Sequence, residues 1–459
     1  MSNRPAGLVL ALAALPLAAC GSLPRAAATP AHLIAHQLCS AAFISGVDTE
    51  RYYDQALAPL AQPLRPLLSH HVDLVKQEAT ASFAGRESRA VYRGDTGCIV
   101  VQGKLPPAPA DPGPRAVSLM PPIAGAEVVV PTDAALIAAL DHAFAETAKP
   151  PHRATKAVVV IQDGRVIAER YADGYGPQTP IHGWSMSKSA TNALVGVLVH
   201  QGRLDMNAPA PVAAWAKPTD PRRAITPDHL LRMTSGLAIG DSLNASWKSM
   251  FDPSAQMLFA AADMARSMET ARLATPPGKH FTYADANTLL LSRIIRNAVG
   301  GTGDDVLRFS RRELFDKLGM EHVVFEQDAS GTPIGAAQMF ATARDWGRLG
   351  ILFANDGVVG GQRLLPEGWV DYSARLTPGS ERYGYGAGFW TNRGGSSGAA
   401  HRPNMPTDSF MARGTSGQFT IVIPSRRLVI VKLGDAFTPY GDIDAVDRLV
   451  GEVVAATGG

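Results

Sequence analysis

The sequence predicts an α+β fold in which both ends of one large domain build an antiparallel sheet flanked by helices. A helical subdomain interrupts it, and a small α+β module stands in front. Three observations predict this. Strand-like runs at Ala157 to Gln162 and Arg165 to Tyr171 return near the end of the chain, at Gly386 to Asn392, Gln418 to Ile423 and Leu428 to Leu433. The stretch between, from 185 to about 375, reads mainly as helix. A proline-rich segment sets the large domain apart from the first hundred residues. Terminal strands that bracket a helical insert imply one sheet, since each layer must bury its apolar face against another.

Size and composition agree with two structural units. The 459 residues are 46% hydrophobic, enough for a large core. Lys and Arg total 43 against 41 Asp and Glu, so no charge excess marks a nucleic-acid partner.

The chain opens with Arg4, an apolar run from Ala6 to Ala19, and Leu17-Ala18-Ala19-Cys20. The run is short for a membrane span. It resembles a bacterial lipoprotein signal peptide over residues 1–19, with cleavage before Cys20 and lipid on its thiol; an ordinary signal peptide that happens to contain a cysteine is the alternative. The expected location is the bacterial cell envelope, with a lipid anchor holding the protein to the membrane, and Gly21 fits the periplasmic side of the outer membrane. An oxidising periplasm lets Cys39 pair with Cys98, the other possibility being two buried thiols.

Residues 20–104 form the N-terminal accessory module, with a helical pattern (Leu33, Ile34, Leu38) followed by strand-like Ala90 to Tyr92 and Cys98 to Val101. Residues 105–134 read as a linker whose prolines, from Pro106 to Pro122, make it semi-rigid and extended. The large domain, 135–459, begins with a helix from Ala134 to Ala148. Asp163-Gly164 is a two-residue hairpin turn between the first two strands. Helices are expected at Asp228 to Met233, Ala255 to Met268, Asn287 to Asn297, Asp304 to Leu318 and Ala341 to Asn355, with a last one from Asp442 to Ala456.

The chemistry concentrates in His182-Gly183-Trp184-Ser185-Met186-Ser187-Lys188, which opens a helix ending near His200 with Gly202 as its C′ residue. Ser185, Lys188 and Asn192 fall on one stripe of that helix. Met186, Ala190, Ala193, Leu194 and Val197 fall on the other side and mark it as buried. A serine hydroxyl needs a neighbouring base, and a lysine serves only where burial or cationic neighbours lower its pKa. A buried helix N-terminus supplies that desolvation and favours an oxyanion beside Ser185.

Three further stretches accompany this motif: Ile225 to Leu237, Pro277 to Tyr283 and Ala341 to Trp346. With them, residues 150 to 440 resemble the Ser-x-x-Lys serine hydrolases, comprising class C β-lactamases, penicillin-binding DD-peptidases, family VIII carboxylesterases and 6-aminohexanoate-dimer (nylon oligomer) hydrolases. The resemblance implies a β-lactamase/transpeptidase-like fold. It also implies acyl transfer through Ser185, with Lys188 and Tyr283 handling protons and no cofactor. Tyr283-Ala284-Asp285 stands where the family has Tyr-x-Asn, so Asp285 departs from the pattern. A carboxylate beside Lys188 would raise its pKa and oppose its role as a base. Asn287 supplies the amide instead, or Asp285 caps the following helix.

The family's third motif, Lys-Thr-Gly in β-lactamases, is absent. Phe410-Met411-Ala412-Arg413-Gly414-Thr415-Ser416-Gly417-Gln418 takes its place, similar to the nylon oligomer hydrolases, and the resemblance implies a backbone oxyanion donor there, assigned to Ala412. Without that lysine the expected substrate is a small ester or amide rather than a β-lactam. The rival nucleophile Ser396, in Gly394-Gly395-Ser396-Ser397-Gly398, lacks the following helix that an α/β-hydrolase elbow needs, because Pro403 and Pro406 come next. No set of histidines makes a metal site: His32 and His36 lack a third ligand, and His70 and His71 alternate faces. A non-catalytic envelope protein binding peptidoglycan or a protein partner is the alternative function, favoured by Asp285.

Overall fold

The computed structural model describes residues 23–62, 64–242, 246–394, 401–436 and 442–458. The signal sequence, Cys20 and Ser396 lie outside these residues.

In the N-terminal module, helix α1 (Leu23–Ser40) lies on a sheet of β1 (Leu68–Asp73), β2 (Glu78–Phe83), β3 (Arg86–Tyr92) and β4 (Cys98–Val100), paired antiparallel in chain order. Period-two alternation turns Ala79 and Ala81 inward, and Ala90 joins them. These small side chains let α1 close onto the sheet through Ile34, Ala35 and Leu38. A disulfide joins Cys39, near the end of α1, to Cys98 at the start of β4.

The proline-rich segment is not a free spacer. Ala116 N–H donates to Asp316, the Leu119 amide donates to the Lys317 carbonyl, and Met120 and Ile123 enter the main core. Further on, Val166 N–H donates to the Ile123 carbonyl and Glu169 N–H to that of Val129, so the segment runs along the domain as a strap. Proline fixes its extended path but supplies no donor, so the attachments come from residues between and after the prolines.

The large domain is built on a six-stranded antiparallel sheet. Its strands are β5 (Thr155–Gln162), β6 (Arg165–Tyr171), β7 (Trp390–Thr391), β8 (Phe410–Gly414), β9 (Gln418–Ile423) and β10 (Leu428–Gly434), in the spatial order β7-β8-β9-β10-β5-β6. The two chain ends meet where β10 pairs with β5. Asp163 and Gly164 both have positive φ, 51° and 74°, as a tight hairpin turn needs.

One face of the sheet is covered by helices α2 (Ala134–Phe144) and α6 (Ile443–Thr457), which bury Leu136, Leu140, Val446 and Val450. The other is covered by α5 (Ala343–Ala354), where Gly347 and Gly350 allow close approach. A Cβ on either glycine would lie 2.4 Å from Ile161 Cδ1 or 2.5 Å from Val429 Cγ1. Behind α5 lie α3 (Ser187–His200) and α4 (Asp285–Val299), the centre of the helical subdomain.

Several boundaries differ from the sequence expectation. The helix expected to reach Ala148 stops at Phe144. The one expected from Ala255 to Met268 divides into Pro253–Ala260 and Met264–Glu269, with the Asp263 side chain capping the second. The strand expected from Gly386 shrinks to Trp390–Thr391, because Gly386 N–H closes a turn onto the Phe389 carbonyl and Gly388 takes φ 77°.

Candidate active site

Ser185 sits in a single 3-10 turn, Trp184–Met186, that leads into α3. The turn is fixed from three sides. Trp184 holds φ 47°, a backbone conformation rarely adopted by a bulky residue, immediately before the serine. A Cβ on Gly183 would lie 2.3 Å from the Trp346 ring, so only glycine fits there. Ser187 Oγ donates to the Trp184 carbonyl at 2.6 Å and accepts from Met339 N–H at 3.0 Å. At the far end of the helix, Gly202 takes φ 68°.

Lys188, one helical turn on, is 2% exposed. Its Nζ donates to Ser185 Oγ at 2.9 Å, Asp285 Oδ1 at 2.5 Å and the Ala336 carbonyl at 2.8 Å. An ammonium has three N–H bonds, and these three acceptors use all of them. Burial pulls the ammonium downward, but Asp285 and then Tyr283 outweigh it, and the net displacement is above the ordinary lysine value. The Tyr283 ring centroid is 5.0 Å from Nζ.

The two alternatives for the second motif are resolved against both expectations. Asp285 is not a cap: Ala284 occupies the N-cap of α4, and Asp285 turns into the site, where Oδ1 holds Lys188 and Oδ2 accepts from Ser242 Oγ at 2.7 Å. Asn287 does not supply an amide to the lysine. Its Oδ1 accepts from Ser235 Oγ at 2.6 Å and its Nδ2 faces Met233 Sδ. Asn192, on the stripe of Ser185 and Lys188, bonds Ser373, the Ala387 carbonyl and the Trp369 indole, and so braces α3.

Strand β8 passes beside the nucleophile turn. Ala412 joins the core under the helices, whereas Met411 and Phe419 join the core on the opposite side of the sheet. Gly414 shares the Ala412 face by alternation, and a Cβ there would lie 2.2 Å from the Gly183 carbonyl oxygen. The position facing the turn thus carries alanine, not a cation. Arg413 points elsewhere, its guanidinium 5.2 Å from the Trp390 ring and 5.7 Å from that of Phe419.

Residues 140–455 match the beta-lactamase family. The chain belongs to that family. A 6-aminohexanoate-dimer hydrolase of Paenarthrobacter ureafaciens is 27% identical over 271 residues, 56% of this chain and 65% of that protein, so the match spans just under two thirds of that relative's length. A solved structure titled a putative 6-aminohexanoate-dimer hydrolase, from Bacillus anthracis, aligns with TM-score 0.55 at 23% identity, covering 67% of this chain and 80% of that one. A penicillin-binding protein homologue from Caulobacter crescentus aligns with TM-score 0.55 at 18% identity over 72% of this chain and 99% of that one. These structural likenesses are of fold: the β-lactamase/transpeptidase-like architecture.

Within this member of the beta-lactamase family, several site residues carried no sequence signal. Three successive carbonyls, of Gly335, Ala336 and Ala337, accept from Thr191 Oγ1 at 3.1 Å, Lys188 Nζ at 2.8 Å and His182 Nε2 at 2.8 Å. Backbone acceptors are invisible to a reading of side chains. Ser242 has no motif around it and reaches Asp285 only through the fold. His182 is stacked on Phe340, 4.5 Å between centroids, and burial presses its pKa down to about 3, so it is a neutral structural ring. Among the described residues no group of His, Cys, Asp and Glu is arranged to hold a metal. His36 instead meets Glu326 at 3.2 Å, and His32 bonds the Phe259 carbonyl.

Proposed function

We propose that this protein is an exported, lipid-anchored serine hydrolase of the bacterial envelope that cleaves a small ester or amide through an acyl-enzyme on Ser185. The observation that carries the reading is Lys188 Nζ, 2.9 Å from Ser185 Oγ and held by two further acceptors. The resting ammonium first loses one proton to solvent. Its lone pair then faces Ser185 Oγ while its two remaining N–H bonds stay on Asp285 and Ala336.

As Oγ attacks the substrate carbonyl, its proton passes to Nζ, the O–C bond forms and the carbonyl electrons move to oxygen. Tyr283, beside the same nitrogen, relays the proton to the departing alkoxide or amine. Backbone N–H groups at the nucleophile turn and along β8, with Ala412 the assigned donor, hold the oxyanion. Water repeats the sequence and releases the acid. Alanine on the β8 face that meets the turn supports neutral esters and amides over β-lactams, whose carboxylate seeks a cation.

The Lys188–Asp285 pair supports the second reading, a non-catalytic envelope protein, because a lysine kept protonated is a poor base. A fluorophosphonate probe separates the two. Covalent labelling at Ser185 is expected of the hydrolase, and an unlabelled, folded protein would leave the binding reading.

A further inference from the structure

An apolar chamber, open at its mouth, lies between the N-terminal module and the large domain. Leu33, Leu60 and Phe83 of the module form one wall, and Met250 and Phe259 of the domain form the other. Among the described residues no charged side chain lines it.

Its position ties it to the nucleophile. Trp184, which lines it, immediately precedes Ser185. Thr415 and Ser416, also in its lining, follow β8, whose Gly414 lies against the Gly183 carbonyl. The lining is mostly apolar with a few hydroxyls, the character of small-molecule sites.

The module wall is held rigidly. Glu326 of the large domain, fully buried, accepts from Ser40 Oγ and from Cys98 N–H, both at 2.8 Å. The Cys39–Cys98 disulfide fixes α1 to the same point. These contacts hold the two walls of the cleft in a fixed relation.

We propose that this chamber is a substrate subsite, built jointly by the accessory module and the hydrolase domain, that receives a medium-length alkyl chain attached to the scissile ester or amide. The inference rests on the hydrolase reading above and names its substrate class. The module is then part of the specificity apparatus, since half of the subsite wall belongs to it. Each methylene drawn into the chamber raises kcat/KM by about three- to fourfold, the rate equivalent of its transfer from water.

The test uses the purified full chain and two substrate series. p-Nitrophenyl esters from acetate to octanoate vary the acyl side, and alkyl acetates from ethyl to octyl vary the alcohol side. A rise on the order of a hundredfold between the four- and eight-carbon members of one series is expected, and the series that rises identifies which side of the carbonyl enters.

Leu60→Trp and Met250→Trp fill the chamber from opposite walls, and either should flatten that rise. Should one variant fail to fold, as judged by circular dichroism, the other and the wild-type profiles decide. An active wild type with flat profiles in both series overturns the subsite while leaving the hydrolase reading intact. Absence of turnover together with no fluorophosphonate label on Ser185 overturns the hydrolase reading, and the subsite with it.

Discussion

Lys188 and Lys432 are each 2% exposed, and burial pushes the charge of both the same way, yet they end on opposite sides of the ordinary lysine value. Lys432, on β10, has Asp442 and Asp435 nearby, but among the described residues none accepts a hydrogen bond from its Nζ, and its pKa falls to about 8. Lys188 has three acceptors within 2.9 Å, one of them a carboxylate at 2.5 Å, and moves up. Contact decides what burial alone does not. The lysine with the pKa of a base is therefore the one in the sheet, and the one beside the serine is stored protonated.

The comparison breaks most sharply at the serine. Ser185→Ala is expected to lower kcat by at least about a thousandfold, and adding Lys188→Ala should lower it little further, because the groups act as one unit. Steady-state kinetics on p-nitrophenyl esters measures both; additive losses would show that Lys188 does not serve Ser185.

The buried His36–Glu326 pair gives the next largest effect, on stability. Glu326→Ala leaves Cys98 N–H without its acceptor and His36 without its carboxylate partner, and should cost on the order of 3 kcal/mol in urea unfolding. Burial draws His36 down, but Glu326 outweighs it and the net pKa is raised. The contribution of the charged pair is thus fully present below the ordinary histidine value and fades as pH rises through the raised folded value. The stability gap between wild type and His36→Gln should narrow in that direction.

Lys432→Met tests the other side of the comparison. The depressed pKa means that the folded state resists protonation, a penalty complete below pH 8 and gone above 10.5. Methionine should therefore stabilise by about 1–3 kcal/mol at pH 7, and that gain should vanish at high pH. Unfolding curves at two pH values check it. Lys188→Met should show no such gain, since it strands Asp285.

The smallest expected effect sharpens the mechanism. Asp285→Asn removes the carboxylate that holds Lys188 up, so the acid limb of the kcat/KM profile should move to lower pH and activity near neutrality should rise severalfold. An unchanged limb would mean that another group titrates there.

By itself the sequence determined whatever is local or periodic. Ser185 and Lys188 are one helical turn apart, so their meeting needs only that the helix form. The hairpin at Asp163-Gly164 and the strands at 418–423 and 428–434 are legible for the same reason: their signals lie within a few residues. The strap is different, because its proline content describes an extended path and is silent about what the path lies against. The choice between Asp285 and Asn287 shows most clearly what only the tertiary structure decided. Two residues apart on α4, they point about 200° apart, so no more than one could face Lys188. Which one does depends on how α4 is rotated against α3. That rotation is set by the packing of Leu289, Leu290 and Ile294 into the core, and it turns the carboxylate toward the lysine and the amide toward Ser235.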